Sequence, residues 1–383
     1  MQNFEFENPV KLLFGKGQIA NIKNEIPKNA KVLLTYGGGS IKRNGIYNQI
    51  IEALKGYNLI EFSGIEANPD YNTLLKAIKI CKTEHIDFLL AAGGGSIVDG
   101  TKFIAAGALY EGDPWDFVNG VQMIKALPLG NIMTMPATSS EMNCTGVISR
   151  RDKKLKFAFS NPIVYPKFAV LDPTAVFTIP KRQIGNGIVD IFIHIMEQYL
   201  TTTENYMVTD KFSEGIIKNL IELAPALMKE GTPSYEDAAN YMLTATMGLN
   251  GWVSMGAIQD WASHMIGHEL TALEGLAHGE TLAIIFPGTM NIMREEKKDK
   301  ILQFAKNIWN ITEGNDEDII NQAIANTEKF FISVGKKVRL SDYNIGQDTI
   351  DEIVHRFETR KMNIGENGIV TPAHVRRILE DRR

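Results

Sequence analysis

The chain has 383 residues, more than one hydrophobic core usually contains, so two domains are expected. Apolar residues make up 44% and charged residues 22%, which is the composition of an ordinary globular protein. The formal net charge of −5 and a pI near 5.9 argue against a nucleic-acid partner, which usually requires a basic stripe.

Short apolar runs alternate with helical patterns in the first half of the chain. The helical patterns include Gly45–Leu54 and Tyr71–Glu84. An opening segment, Phe4–Phe14, alternates in polarity and predicts an edge hairpin. The alternation of strands and helices predicts a parallel sheet covered on both faces. The strands are predicted at Lys31–Tyr36, Asn58–Phe62, Ile86–Ala92, Asn131–Met135 and Phe168–Leu171.

From Lys181 onward the sequence contains no convincing strand. Several of its long helical patterns are apolar nearly all the way round, which is typical of buried helices. Thr371 and Pro372 form an N-cap followed by proline at the first helical position, so they predict the start of the last helix. The sequence thus predicts a parallel-sheet α/β domain at residues 1–180 and an all-α domain at residues 181–383. The main helical patterns span Gly185–Leu200, Thr209–Met228, Tyr235–His264 and Lys300–Asn310.

The cysteine content and the apolar segments predict a cytoplasmic protein. Cys81 and Cys144 are the only cysteines, too few for a disulfide framework, so a reducing compartment is expected. No apolar stretch follows a basic region near Met1, and we therefore expect no secretory signal. The most apolar segments are shorter than the roughly 20 residues that cross a bilayer, so no membrane association is expected.

Two Gly-Gly-Gly-Ser tetrads, Gly37–Ser40 and Gly93–Ser96, each directly follow a predicted strand. Residues without a Cβ let the backbone approach a phosphate closely, and a helix N-terminus supplies free N–H groups. A pyrophosphate over Gly94–Ser96 is one interpretation, and for an isolated tetrad an ordinary tight turn is an equally good one. Neither tetrad matches the Gly-x-Gly-x-x-Gly fingerprint of the usual dinucleotide-binding fold.

The stretch around the first tetrad favours NADP(H) over NAD(H). No acidic residue follows the strand that ends at Tyr36, whereas Ser40, Lys42 and Arg43 do. An acid there would bind the ribose hydroxyls and repel a 2′-phosphate, and small polar or basic groups would do the reverse. A third stretch, Pro136–Asn143, follows the fourth strand. It either lies along a ribose or nicotinamide edge or is an ordinary serine/threonine loop.

A carboxylate and several histidines have the spacing of a metal site. Asp190 and His194 lie four residues apart on a strongly apolar helical pattern, and His264 and His268 are again four apart. His278 follows after a loop. One carboxylate and several imidazoles, without thiolates, suit a divalent first-row metal with an open position. Each histidine alone would more often be structural, but together they favour a metal. Five candidates compete for about four positions, and spacing does not exclude His268.

The order of these residues resembles the iron-containing alcohol dehydrogenases. That order is Asp-x-x-x-His, then His-x-x-x-His, nine residues and His-Gly, after a Gly-Gly-Gly-Ser turn. Three segments resemble the butanol dehydrogenase-like branch, which contains NADPH-dependent aldehyde reductases: Thr35–Lys42, Gly93–Lys102 and Gly267–Ala272. The resemblance runs from about Phe4 to the last helix. It implies a dinucleotide-binding first domain, a metal-binding helical second domain, and a homodimer or larger homo-oligomer.

The resemblance also assigns roles to individual residues. It implies that Asp190, His194, His264 and His278 bind one Fe²⁺ or Zn²⁺, and that His268 lies near the nicotinamide. Ser139 departs from the glycine that relatives often carry. The residues expected to contact the coenzyme, from the glycine turns and the resemblance together, are Gly37, Gly38, Gly39, Ser40, Lys42, Gly94, Gly95, Ser96, Asp99, Thr138, Ser139, Lys156 and Thr178.

The expected activity is reversible hydride transfer between NADP(H) and a small aliphatic alcohol or aldehyde, with aldehyde reduction favoured. Metal-assisted stabilisation of the developing oxygen charge would lower the barrier by several kcal/mol. The enzymatic alternative is a lyase of the dehydroquinate synthase type, which needs basic residues to hold a phosphorylated substrate. The metal-bearing segments Gly185–Leu200 and Gly251–Thr271 contain no Lys or Arg, which argues against it. A non-catalytic metal- or nucleotide-binding regulator is the other alternative.

Overall fold

The computed structural model describes residues 1–202 and 206–383, which form two compact units. The sheet unit comprises Glu7–Ile179 and Gly231–Asn250. The helical unit comprises Met1–Phe6, Pro180–Glu230 and Gly251–Arg383. The chain therefore passes from one unit to the other at residue 180, and residues 231–250 belong with the sheet.

A six-stranded parallel sheet forms the centre of the sheet unit, with the strand order β1-β8-β5-β4-β2-β3. Its inner strands are buried because apolar residues such as Leu33, Leu90 and Val170 are covered on both faces. All five predicted strands are confirmed. The strands of this sheet are β1 (Lys11–Phe14), β2 (Lys31–Tyr36), β3 (Asn58–Phe62), β4 (Phe88–Gly94), β5 (Leu129–Met135) and β8 (Phe168–Leu171).

The edge hairpin predicted over Phe4–Phe14 is wrong. Only Lys11–Phe14 forms a strand, and it pairs in parallel with β8, which a hairpin partner cannot do. The strand begins after Pro9, which has no N–H to contribute to a ladder.

A two-stranded antiparallel hairpin, β6 (Thr145–Arg150) and β7 (Leu155–Ser160), was not expected from the sequence. The basic stretch Arg151–Lys156 contains the turn of this hairpin and the first two residues of β7. Lys156 therefore lies on a strand, directly opposite Ser149.

The remaining elements of the sheet unit are helices that follow its strands. Tyr71–Glu84 is confirmed as a helix, capped by the Asp70 side chain. The helices are α1 (Ser40–Arg43), α2 (Ile46–Ala53), α3 (Tyr71–Glu84), α4 (Gly95–Gly107) and, from the later segment, α7 (Tyr235–Gly248).

Helices make up the helical unit, and its described residues contain no strand, only one isolated bridge between Ile364 and Val370. Thr371 and Pro372 begin the last helix as predicted. No helix in the described part of the chain is both long and apolar enough to span a membrane. The helices are α5 (Lys181–Tyr199), α6 (Met207–Met228), α8 (Ala262–Glu274), α9 (His278–Ile292), α10 (Lys298–Trp309), α11 (Asp316–Ser333), α12 (Gln347–Thr359) and α13 (Pro372–Asp381).

The long helix predicted over Tyr235–His264 is wrong. It is two helices, α7 and α8, separated by residues 249–261. Gly251, Gly256 and Trp261 have φ values of +96°, +72° and +66°, and a right-handed helix cannot continue through such residues. Helical periodicity in the sequence did not reveal this break because the flanking residues are apolar.

We expect Gly185→Ala to destabilise the protein. A Cβ at this position of α5 would overlap the backbone carbonyl oxygen of Val334, and a backbone atom cannot yield as a side chain can. The expected loss in the free energy of unfolding is about 1–3 kcal/mol. Gly215→Ala on α6 is the matched control, because nothing lies within 4 Å of its Cβ and alanine favours a helix by about 1 kcal/mol. Thermal and urea denaturation of both variants test this, and equal stabilities would contradict the close approach.

Candidate functional site

Helices α5, α8 and α9 bring one carboxylate and three imidazoles together. Asp190 Oδ1 lies 3.6 Å from His194 Nδ1, 3.9 Å from His264 Nε2 and 3.5 Å from His278 Nε2. The ligand atoms of Asp190, His194 and His264 all lie within 4.8 Å of one another. Three histidines from three helices, His194, His264 and His278, thus converge on one carboxylate oxygen of Asp190.

These distances fit a coordination shell. Donors held about 2.0–2.2 Å from a tetrahedral zinc-like ion are about 3.4 Å apart, close to the separations around Asp190 Oδ1. His264 Nε2 is buried and has no hydrogen-bond partner among the described residues. A buried polar atom of this kind is costly unless something satisfies it, and a cation would do so.

The cluster is closed on one side and open on the other. The side chains of Asp190, His194 and His264 are 5–8% exposed, whereas that of His278 is 22% exposed. The access of solvent or substrate to the cluster is therefore on the side of His278.

A glycine allows His278 to approach the other candidates. At Gly279, a Cβ would overlap the backbone of Asn186 on α5. The first turn of α9 therefore lies directly against α5, four residues before Asp190. This contact explains in physical terms why glycine follows the histidine.

Glu197 orients His264, and the sequence analysis missed it. One oxygen of Glu197 accepts the backbone N–H of Ser263 at 2.5 Å, and the other is paired with His264 Nδ1. With Nδ1 occupied, the free Nε2 of His264 faces Asp190. Glu197 lies three residues after His194 on the same apolar helix face, and this spacing was the available signal.

The carboxylates also set the charge of His264. Burial lowers the pKa of His264, but the charges of Glu197 and Asp190 outweigh it and raise the pKa to about 9. The two carboxylates therefore favour a proton on the ring, and a divalent cation bound at Nε2 would have to displace that proton.

His268 lies beside this cluster. Its ring centroid is 5.4 Å from that of His278 and 6.5 Å from that of His264, one helical turn earlier on α8. His264, and not His268, belongs to the group whose ligand atoms converge with Asp190 and His194.

The expected coenzyme residues share one edge of the sheet. They follow β2, β4, β5 and β8, which are neighbouring parallel strands, so the carboxyl ends of these strands lie at the same edge. Lys156 is the exception, since it lies on β7 of the hairpin. The order along this edge is Gly37, Gly38, Gly39, Ser40 and Lys42 after β2, then Gly94, Gly95, Ser96 and Asp99 from the end of β4, Thr138 and Ser139 after β5, and Thr178 after β8.

The second tetrad forms a close strand-to-helix turn. α4 begins at Gly95, directly after β4, and no side chain caps its first N–H groups. A Cβ on Gly95 would overlap the Thr138 side chain. The first turn of this 13-residue helix thus offers uncapped backbone N–H groups, which suit an anion.

Asp99 accepts hydrogen bonds from within the protein that the sequence did not indicate. It is 8% exposed, and its two oxygens accept the Ser140 hydroxyl and the Val147 N–H. The buried Lys102 ammonium donates to Ser140 Oγ at 2.8 Å and to Asn143 Oδ1 at 2.9 Å. Burial lowers the pKa of Lys102 to about 8, against the opposing charge of Asp99. Asp99 and Lys102 therefore hold the loop after β5 in place.

Ser139 adopts a glycine-like conformation. Its φ is +53°, in the left-handed region. Its hydroxyl donates to the carbonyl of Ala245 on α7 and accepts the N–H of Leu249. These two bonds stabilise a serine where the backbone would suit glycine.

Two family models match the chain. The iron-containing alcohol dehydrogenase model matches residues 9–173, and the C-terminal model of the Fe-containing alcohol dehydrogenase family matches residues 185–381.

Among individual relatives, the NADPH-dependent aldehyde reductase YqhD of Escherichia coli is 47% identical over 100% of both chains. The NADH-dependent butanol dehydrogenase A of Clostridium acetobutylicum is 39% identical over 99% of this chain and 98% of its own. A crystal structure of Escherichia coli YqhD has a TM-score of 0.98 at 46% identity, covering 100% of this chain and 99% of that one.

We expect Glu197→Gln to weaken metal binding about 10–100-fold, because an amide lacks the charge that orients and polarises the His264 ring. Competition between the purified protein and a chromophoric chelator for Zn²⁺ measures this affinity. Glu214→Gln is the matched control, since Glu214 is also buried but accepts from Tyr199 and Gln303 instead. Equal Zn²⁺ affinities for both variants would contradict the role of Glu197.

Proposed function

The chain belongs to the iron-containing alcohol dehydrogenase family, and on this basis we propose that it is an NADP(H)-dependent aldehyde reductase. Its substrates are small aliphatic aldehydes and the corresponding alcohols. The reaction moves a hydride from C4 of NADPH to the carbonyl carbon and a proton to the carbonyl oxygen, so aldehyde, NADPH and one proton from solvent give alcohol and NADP⁺. The observation that carries this proposal is the convergence of three imidazoles on one buried carboxylate oxygen.

Asp190, His194, His264 and His278 are the proposed ligands of one divalent ion, Fe²⁺ or Zn²⁺. Bound there, the ion supplies Lewis-acid polarisation of a carbonyl oxygen. With a single carboxylate among its ligands, a divalent ion held there would keep a net positive charge that attracts the substrate oxygen. Three neutral imidazoles and one carboxylate suit either metal, and the ligand set does not select between them.

Glu197 and His268 lie next to the proposed ligands, and each has a proposed positioning role. Glu197 keeps Nδ1 of His264 protonated, so that the lone pair of Nε2 faces the ligand cluster. His268 is half-buried next to His278 and is the proposed group that orients substrate or relays a proton.

The proposed preference for NADP(H) rests on this chain's own residues, because the names of its relatives give different coenzymes. Among relatives with about two-fifths identity, two butanol dehydrogenases carry NADH in their names and one alcohol dehydrogenase carries NADP, whereas the 47% identical reductase carries NADPH. Ser40 and Lys42 are the proposed partners of a 2′-phosphate, and the Gly94–Ser96 turn of a pyrophosphate. Thr138, Ser139, Lys156, Thr178 and Asp99 are proposed to form or support the nicotinamide side of the site.

A lyase of the dehydroquinate synthase type is not favoured. Both family models describe alcohol dehydrogenases, and the metal-bearing segments Gly185–Leu200 and Gly251–Thr271 contain no Lys or Arg to hold a phosphorylated substrate. The expectation of a homodimer or larger assembly stays a prediction, which size-exclusion chromatography with light scattering tests.

We expect the metal-loaded protein to oxidise NADPH in the presence of butanal, seen as loss of the nicotinamide absorbance. His264→Ala should abolish metal retention and lower turnover about a hundredfold or more, because several kcal/mol of charge stabilisation are lost. His355→Ala is the control, since His355 is exposed on α12. No NADPH oxidation with any of several short aldehydes, with Fe²⁺ or Zn²⁺ supplied, would contradict the proposed function.

A further inference from the structure

Lys42 is held in a small cage formed by Tyr36, Tyr47 and Glu61. Its ammonium lies 5.1 Å from the ring centroid of Tyr36 and 4.5 Å from that of Tyr47. It also lies 3.6 Å from Glu61 Oε2. Two aromatic faces and a carboxylate attract the same cation, which restricts a side chain that is otherwise flexible.

Glu61 is the centre of this cage. It lies on β3, beside β2, with its Cα paired to Leu34. Its Oε1 accepts the Tyr47 hydroxyl at 2.6 Å and its Oε2 accepts the Tyr36 hydroxyl at 2.7 Å. Burial opposes the charge of Glu61, but the bonds from Tyr47, Tyr36 and Lys42 outweigh it and lower its pKa. Glu61 therefore stays ionised and anchors all three neighbours.

The sequence alone does not identify Glu61 as a neighbour of Lys42. In enzymes that prefer NAD(H), the acid that binds the ribose hydroxyls directly follows the strand equivalent to β2, and no acid stands there in this chain. Glu61 comes from the neighbouring strand, 25 residues after Tyr36, and only the strand pairing brings it to Lys42. Each oxygen of Glu61 already accepts a hydrogen bond from a tyrosine hydroxyl, so the carboxylate faces Tyr36, Tyr47 and Lys42.

We propose that Glu61 is a positioning residue for coenzyme discrimination, which holds the Lys42 ammonium beside the Gly37–Ser40 turn for the 2′-phosphate of NADP(H). This inference rests on the proposed function, in which Lys42 binds that phosphate. An unrestrained lysine loses side-chain entropy when it pairs with a phosphate. The cage restricts the Lys42 side chain before the coenzyme binds. Less side-chain entropy is then lost on binding, so the contact between the ammonium and the phosphate contributes more to the binding free energy.

The test measures coenzyme fragments instead of turnover. Isothermal titration calorimetry gives the affinity of the full chain for 2′-phospho-ADP-ribose and for ADP-ribose. We expect Lys42→Ala to reduce the preference for the phosphorylated compound about tenfold, the scale of one charge-assisted hydrogen bond. Glu61→Gln should reduce it severalfold, and the affinity for ADP-ribose should stay unchanged. Tyr47→Phe removes one bond to Glu61 and should give a smaller loss in the same direction.

Glu84→Gln is the matched control, because Glu84 pairs with Lys31 at 2.7 Å at the start of β2. It should leave both affinities unchanged. An increased preference in Glu61→Gln would show that the acid opposes the phosphate, and an equal loss for both compounds would show a structural role only. Either result overturns the inference, as does an unchanged preference in Lys42→Ala.

The proposed reductase function and the proposed role of Glu61 can be tested independently of each other. A wild-type chain that prefers 2′-phospho-ADP-ribose, loses that preference in Glu61→Gln and yet reduces no aldehyde would support the cage and overturn the proposed reductase activity.

Discussion

A carboxylate buried on an apolar helix is the constraint on which the candidate metal centre depends. Asp190 is 4% exposed, on a helix whose neighbouring residues are almost all buried and apolar. A charge in such surroundings is strongly disfavoured unless it is paired or coordinates a metal. Three imidazoles from α5, α8 and α9 approach the same oxygen of Asp190. The packing of these helices thus brings together the groups that, in the proposed metal centre, would satisfy one buried charge with a cation.

The surrounding structure fixes the geometry of that cluster. Gly279 lets α9 approach α5 closely, and Glu197 fixes the orientation of the His264 ring by pairing with Nδ1. In the sheet unit, charged side chains likewise hold candidate coenzyme-binding segments in place. Asp99 and Lys102 hold the loop after β5, and Glu61 holds Lys42. In both units, a carboxylate that is not itself a proposed ligand contact, Glu197 or Glu61, positions a residue that is.

The sequence predicted what depends on local periodicity and spacing. Five strands, the change to helices near residue 180 and the i, i+4 candidates on α5 all follow from patterns within a few residues of each other. It could not predict the break between α7 and α8, because left-handed residues such as Trp261 leave no periodic signal. It also missed Glu197 and Glu61, whose partners come from other elements through packing and strand register. Spacing alone did not separate His264 from His268. The family resemblance placed His268 near the nicotinamide, and the grouping of His264 with Asp190 and His194 agrees with that assignment.

X-ray absorption spectroscopy of the Zn²⁺-loaded protein would show directly whether Asp190 and the three histidines bind the metal, because it reports the metal's ligands without any assay of turnover. We expect a first shell of nitrogen and oxygen only, at about 2.0–2.2 Å, with outer-shell scattering from three imidazole rings. A sulfur shell near 2.3 Å, which would require Cys81 or Cys144, would contradict this ligand set, as would fewer than three imidazoles.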